Sequence, residues 1–200
     1  MDTYSIRQIL ERCSRKNYIE IMRQFEELNR DKTIRMIIIE EYGWNEETCN
    51  KASENGYLEC LKYAHENGCP WDKYTCSNAS YNGHLECLKY VHENGCPWDK
   101  DTCYEAAKNG HLECLKYAHE NGGLWDKYTC TNASCYGRLE CLRYAHENGC
   151  HWDGDVCYKA SCGGHLECLK YAFENGCQIY VNKCLMYAFG ECEKYLESLY

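Results

Sequence analysis

Residues 71–97 read W-D-K-Y-T-C-S-N-A-S-Y-N-G-H-L-E-C-L-K-Y-V-H-E-N-G-C-P, and the pattern returns every 27 residues. All five tryptophans keep that step: Trp44, Trp71, Trp98, Trp125 and Trp152. Two glycine columns keep it as well, Gly56, Gly83, Gly110, Gly137 and Gly164, then Gly68, Gly95, Gly122, Gly149 and Gly176. Five copies follow, at 44–70, 71–97, 98–124, 125–151 and 152–178. A fixed period of this length marks a stacked array, in which one unit cannot bury its apolar side alone and its neighbours complete the core.

Within a copy, Gly83 and Gly95 punctuate two short segments, each too short to be a stable helix in isolation. The first starts near Asp72, a natural N-cap, and runs through Thr75, Cys76 and Ala79 to about Tyr81. The second spans Leu85 to Glu93 and stops at Asn94-Gly95, with glycine at the usual left-handed position. β-Branched runs are few, so helix is expected over strand. In the second segment Leu85, Cys87, Leu88, Tyr90 and Val91 cover most of the circumference, leaving Glu86, Lys89 and Glu93 as one narrow polar line. That pattern predicts a helix enclosed on nearly all sides. The expected class is all-α, an α-solenoid of stacked helix-turn-helix units.

The ends depart from the pattern. Residues 1–43 lack the motif but carry helical apolar spacing (Ile6, Ile9, Leu10, Cys13; Ile19, Met22, Phe25, Leu28), as an N-terminal helical cap would. Residues 179–200 keep Cys184 on the period but lose the glycine column, as a degenerate C-terminal cap would. Closing units of this kind shield the apolar ends of a stack. Residues 1–43 are charge-balanced, so the net −9 falls on the rest of the chain. A polyanion is a poor partner for such a surface, which argues against nucleic acid, including repeat-by-repeat reading of RNA. No stretch approaches the roughly 20 apolar residues of a membrane helix, and the start Met1-Asp-Thr-Tyr-Ser shows no signal peptide. An intracellular, cytoplasmic monomer is expected.

The string A-x-x-x-G-H-L-E-C-L-K-Y-x-H-E-N-G-C resembles the core of the ankyrin repeat, A-A-x-x-G-H-L-E-I-V-K-L-L-L-E-x-G-A. Ala79, Gly83, His84, Leu85, Glu86, Lys89, Glu93 and Gly95 fall on matching positions, and Ala106-Ala107 restores the paired alanines. In that register Cys87 stands for the Ile of the second helix and Cys96 for the small Ala after the C-cap glycine. The period is shorter than the family's 33 residues, and T-P-L-H is absent. The resemblance therefore implies β-hairpin fingers reduced to turns through Pro97-Trp98-Asp99. This Cys- and Trp-marked variety is similar to the ankyrin-repeat proteins encoded by giant DNA viruses of protists.

Cysteine reaches 19 of 200 residues and forms three columns: Cys49/76/103/130/157/184, Cys60/87/114/141/168 and Cys69/96/150/177, with Gly123 substituting once. Stacked helices lie about 8–10 Å apart, whereas a disulfide needs Cα atoms within about 7 Å. Bridges along one column are therefore disfavoured. Cys60-x4-His65-x3-Cys69 and its repeats offer a metal reading, but helical residues five apart point about 140° away from each other, and Phe173 replaces the histidine once. Buried thiol filler is the simpler account, with a metal-binding or redox-linked stack as the alternative. His84, His111 and His165 are expected to cap the turn between the helices, and His65, His92, His119 and His146 to suit the helix C-terminus as cations. A column repeated along the chain is architecture rather than a catalytic constellation, so neither enzyme activity nor a cofactor is expected.

Function is sought in the columns that vary between copies, which cluster on the first helix. In ankyrin-like stacks that side lines the concave binding surface. The candidate partner-binding residues are Tyr74, Ser77, Asn78, Tyr81, Tyr104, Glu105, Lys108, Tyr128, Thr131, Asn132, Cys135, Tyr158, Lys159 and Cys162. A row of tyrosines among mixed charges suits a protein partner, because Tyr supplies rigid amphipathic contact area.

Overall fold

The structure, a computed structural model, describes residues 46–199. The cap expected at residues 1–43 and the first tryptophan, Trp44, lie outside the described residues. Among the described residues there are twelve helices and no strand. They are α1 (Glu46–Asn55), α2 (Leu58–Glu66), α3 (Lys73–Asn82), α4 (Leu85–Glu93), α5 (Lys100–Asn109) and α6 (Leu112–Glu120). Then come α7 (Lys127–Cys135), α8 (Leu139–Glu147), α9 (Asp155–Gly163), α10 (Leu166–Glu174), α11 (Val181–Leu185) and α12 (Glu191–Glu197). The class is all-α, stacked helical hairpins of the solenoid kind. None of these helices is long and apolar enough to cross a membrane.

The helix ends are written in the repeat. The Asp99 carboxylate accepts the Asp101 amide at 2.9 Å and Asp126 accepts that of Tyr128 at 2.9 Å, each satisfying an orphan donor of the first turn. At the far end of α4, Gly95 has φ +83°, its N–H donates to His92, and the N–H of Cys96 reaches back to Val91. This double bond pattern calls for an apolar residue just beyond the glycine, packed on the last turn. Cys69, Cys96, Cys150 and Cys177 hold that position, which explains the third thiol column.

The chain divides into two compact units, one ending at Ala79 and including Glu86–Pro97, the other made of Ser80–Leu85 and the chain from Trp98 onward. In the first, α1 packs on α2, and Ser53 donates to the Thr75 carbonyl at 2.6 Å. In the second, α5, α7, α9 and α11 lie side by side in one layer, and α6, α8, α10 and α12 in another. Each first helix also packs on its own second helix, so α11 and α12 lie against α9 and α10. Leu61, Leu88, Leu115, Leu142 and Leu169 are fully buried at the repeat step, and the three thiol columns are buried around them.

The second helices are less enclosed than their composition suggests. In α4 only Cys87, Leu88 and Val91 are buried, while Leu85 and Tyr90 stay half-exposed. Tyr90 explains the difference: it belongs to an aromatic seam on the flank of the helix, not to the core. Glu86 and Lys89 pair at 2.9 Å on the wet side, a contact worth a few tenths of a kcal/mol.

A tyrosine and lysine face as candidate docking site

The variable columns meet most closely in the second unit. Tyr104 and Lys108 are one turn apart on α5, and the Lys108 ammonium lies 5.5 Å from the Tyr104 ring centroid. It also lies 5.8 Å from that of Tyr81 and 6.0 Å from that of Tyr136. Glu105 approaches the same ammonium at 3.4 Å. Burial works against the charge on Lys108, but the Glu105 carboxylate outweighs it and moves the pKa above the ordinary lysine value. The result is a fixed cation set among three rings, each able to attract it through its π face.

Beside this cluster opens a cleft of about 250 Å³ lined by Lys100, Asp101, Tyr104, Asp126, Tyr128 and Asn132. Across it Lys100 of one hairpin pairs with Asp126 of the next at 3.2 Å, and Lys127–Asp153 repeats that tie one hairpin further on at 2.9 Å. On α9 the Tyr158 ring has the Lys183 ammonium at 4.3 Å and the Tyr187 ring edge-on at 5.9 Å. The neighbouring Cys162 thiol raises the Tyr158 hydroxyl pKa. Lys159 is exposed, and Cys135 and Cys162 are half-buried. In the first unit Tyr74 is exposed beneath the Lys73 ammonium at 5.3 Å, and Asn78 is half-buried.

Ser77 and Thr131 do not belong on this surface. Both are only 8% exposed, because a short hydroxyl side chain at that position turns back on its own helix. Ser77 donates to the Tyr74 carbonyl at 3.3 Å and Thr131 to that of Lys127 at 2.8 Å. The tyrosines of the same column, Tyr104 and Tyr158, are long enough to emerge. Tyr136, Lys100 and Asp126 join this face without being among the residues expected on it. Tyr136 had a signal, since its column reads Asn55, Asn82, Asn109, Tyr136 and Gly163 and varies as much as those chosen. Lys183 and Tyr187 lie in the terminal segment in the register of the buried Val156 and Ala160, so the period marks them as core rather than surface.

His65, His92, His119 and His146 stand in the last turn of the second helices, as expected. His65, His119 and His146 stack flat on Trp71, Trp125 and Trp152, with centroids 3.6–3.7 Å apart, so their rings are engaged by indole rather than turned toward cysteine. His111 makes no side-chain cap of its own helix. Its Nε2 sits 3.0 Å from the Tyr81 carbonyl, at the end of the preceding first helix, and Arg138 repeats the contact on Lys108 at 3.3 Å. Among the described residues no group of three His, Cys, Asp or Glu is gathered where a metal ion could sit.

No protein-family model and no curated protein matches this chain. Among solved structures it is similar to the ankyrin repeat domain of human ASB11, with a TM-score of 0.70 at 17% identity, over 88% of this chain and 96% of that one. At that identity the likeness is one of fold, and the fold shared is the ankyrin-repeat stack.

Proposed function

We propose that this protein is a non-enzymatic scaffold that docks a partner protein on the exposed side of its first helices, acting as a monomer in the cytoplasm. The observation that carries the reading is the Lys108 cluster with its neighbouring cleft. There Tyr81, Tyr104, Tyr136 and Tyr128 present aromatic area at the surface, with Tyr81, Tyr128 and Tyr136 each about half exposed. Rings held by packing and by a cation lose little freedom on binding, and covering them removes apolar area from water at about 25 cal/mol per Å². Glu105, Lys108, Asp101 and Asn132 around them supply the polar pairing that selects one partner over another. The ankyrin-like stack supports this reading, because its repeated elements hold such a face rigid while the side chains on it vary. The net charge of −9 fits a protein partner better than nucleic acid or an anionic membrane. Eighteen free cysteines among the described residues suit a reducing compartment.

The test compares proteins captured by the full chain, by Y81A/Y104A/Y128A and by E113A/K116A, which alters the polar line of a second helix. A partner lost to the tyrosine variant and kept by the other, with helical circular dichroism unchanged in both, fits the proposal. A partner kept equally by both overturns it.

A further inference from the structure

Thiols from the first and third columns meet inside single repeats. Cys49 on α1 and Cys69, just past the C-cap of α2, are twenty residues apart in sequence, and their Sγ atoms lie 3.0 Å apart in a buried pocket. Cys130 and Cys150, and Cys157 and Cys177, stand at the same two positions of their own repeats, and the Cys130 sulfur lies 4.0 Å from the Cys150 carbonyl oxygen. Cys76 and Cys96 occupy the same two positions in their repeat. The remaining repeat shows the register by its exception: a Cβ placed on Gly123 would lie 3.0 Å from the Cys103 sulfur. Column-by-column reasoning could not find these contacts, because they run between columns.

We propose that each of these pairs is a reversible disulfide site, closed by a low-molecular-weight disulfide and reopened by small thiols. The pairs Cys49–Cys69, Cys130–Cys150 and Cys157–Cys177 then staple the first helix of a repeat to the turn that ends its second. Only about 1 Å of further approach separates the Cys49 and Cys69 sulfurs from the roughly 2.05 Å of a disulfide.

The two members of a pair are unequal. The Cys49 S–H points at the outer sulfur, that of Cys69, which raises the pKa of Cys49 and lowers that of Cys69, and the neighbouring thiol moves Cys130 and Cys157 up and the outer Cys150 and Cys177 down in the same sense. The outer sulfur is thus the attacking one, since thiolate is the nucleophile. It follows the C-cap glycine, where a helix end opens locally without global unfolding. By contrast, burial pushes Cys103 and Cys141 up to about 12, as expected of inert structural thiols.

In the first step the Cys150 thiolate attacks one sulfur of the small disulfide. A mixed disulfide forms, and one small thiolate leaves and takes up the proton that Cys150 released. The Cys130 sulfur then attacks the Cys150 sulfur, forming the Cys130–Cys150 bond and displacing the second small thiolate, which takes the Cys130 proton. The protein has lost two electrons and two protons, and the small disulfide has gained both as two thiols.

The full chain is equilibrated at graded ratios of oxidised to reduced glutathione, its remaining thiols are alkylated in denaturant, and unreduced peptides are mapped by mass spectrometry. The expected links are Cys49–Cys69, Cys130–Cys150 and Cys157–Cys177, with Cys103 and Cys141 alkylated. Oxidation should raise Tm by about 5–10 °C, and by less in C150S/C177S. Because the parent protein carries the mapping result, it stands whether or not that variant folds. Links between different repeats, or full alkylation of Cys130 and Cys150 after oxidation, overturn the proposal. Mixed disulfides confined to the half-exposed Cys135 and Cys162 do so as well.

Discussion

The imidazole of His65 lies flat on the indole of Trp71, with centroids 3.7 Å apart and planes 8° from parallel, and Tyr90 closes the indole edge-on at 6.2 Å. The same triple recurs as His119, Trp125 and Tyr144, and as His146, Trp152 and Tyr171. Trp71, Trp125 and Trp152 therefore each join the second helix of one repeat to that of the next. Where the period ends, Ile179 stands at the tryptophan position, and the histidine gives way to Phe173, which meets Tyr195 edge-on at 6.5 Å. The column asks for a flat ring rather than an imidazole. H119F should then cost less than about 1 kcal/mol, while W125A costs about 2–3 kcal/mol by loss of ring contacts. Urea midpoints measure both, and equal losses would contradict the stacking account.

Acid should weaken this seam. Burial lowers the pKa of His146, outweighing the opposite pull of Glu147, and Nδ1 lies 3.0 Å from the Tyr171 hydroxyl. A histidine whose folded pKa lies below its unfolded value of about 6.5 takes its proton more readily when unfolded. Its contribution is present above that value and is lost as pH falls toward the folded one. H146F cannot titrate. Its stability relative to the parent should rise between pH 7 and pH 5, a trend read from denaturation at each pH. A constant difference would show that His146 does not titrate in the fold as described.

The repeat made the helix pairs legible because their signals are local: an aspartate before the first helix of the second to fifth copies and a glycine after the second helix of all five. The Leu61 to Leu169 column was equally plain. Tertiary partners were not, since one period looks the same whether a side chain meets its own repeat or the next. Thus His111, expected to cap its own turn, serves the end of the preceding first helix, and the neighbour of Cys49 is Cys69 rather than the Cys76 of its own column. On the face proposed for docking, variability separated Tyr81 and Lys108 from the core. It did not separate Ser77 and Thr131, because a varying column can vary underneath the surface.

One repeat already contains the remedy for a polar fault in the others. The Thr102 and Thr129 hydroxyls are buried with no hydrogen-bond partner among the described residues, whereas Thr75 bonds Asn50 at 2.6 Å. The equivalent residue of the fifth copy is Val156, fully buried. A buried hydroxyl without a partner costs about 1–3 kcal/mol, and valine matches threonine in shape. T102V and T129V should each raise stability by about 0.5–1.5 kcal/mol, read as a higher Tm of the full chain. T75V should lower it, because it strips the Asn50 side chain of its partner. A fall in Tm for T129V would mean that its hydroxyl is satisfied in solution.

Two glycines of one repeat differ in what surrounds them. Gly83 and Gly95 both end a helix in the left-handed region, at φ +76° and +83°. A Cβ on Gly95 would meet nothing within 4 Å, whereas one on Gly83 would run into Nδ1 of His111. G95A should therefore cost only the left-handed strain of an L-residue, about 1–2 kcal/mol. G83A carries that strain and also displaces the imidazole from the Tyr81 carbonyl, for a total of about 2–4 kcal/mol. Adding H111A to G83A should recover part of the second loss but none of the first, so the double-mutant cycle isolates the ring contact. Strict additivity of the two substitutions would show that the imidazole does not rest on Gly83.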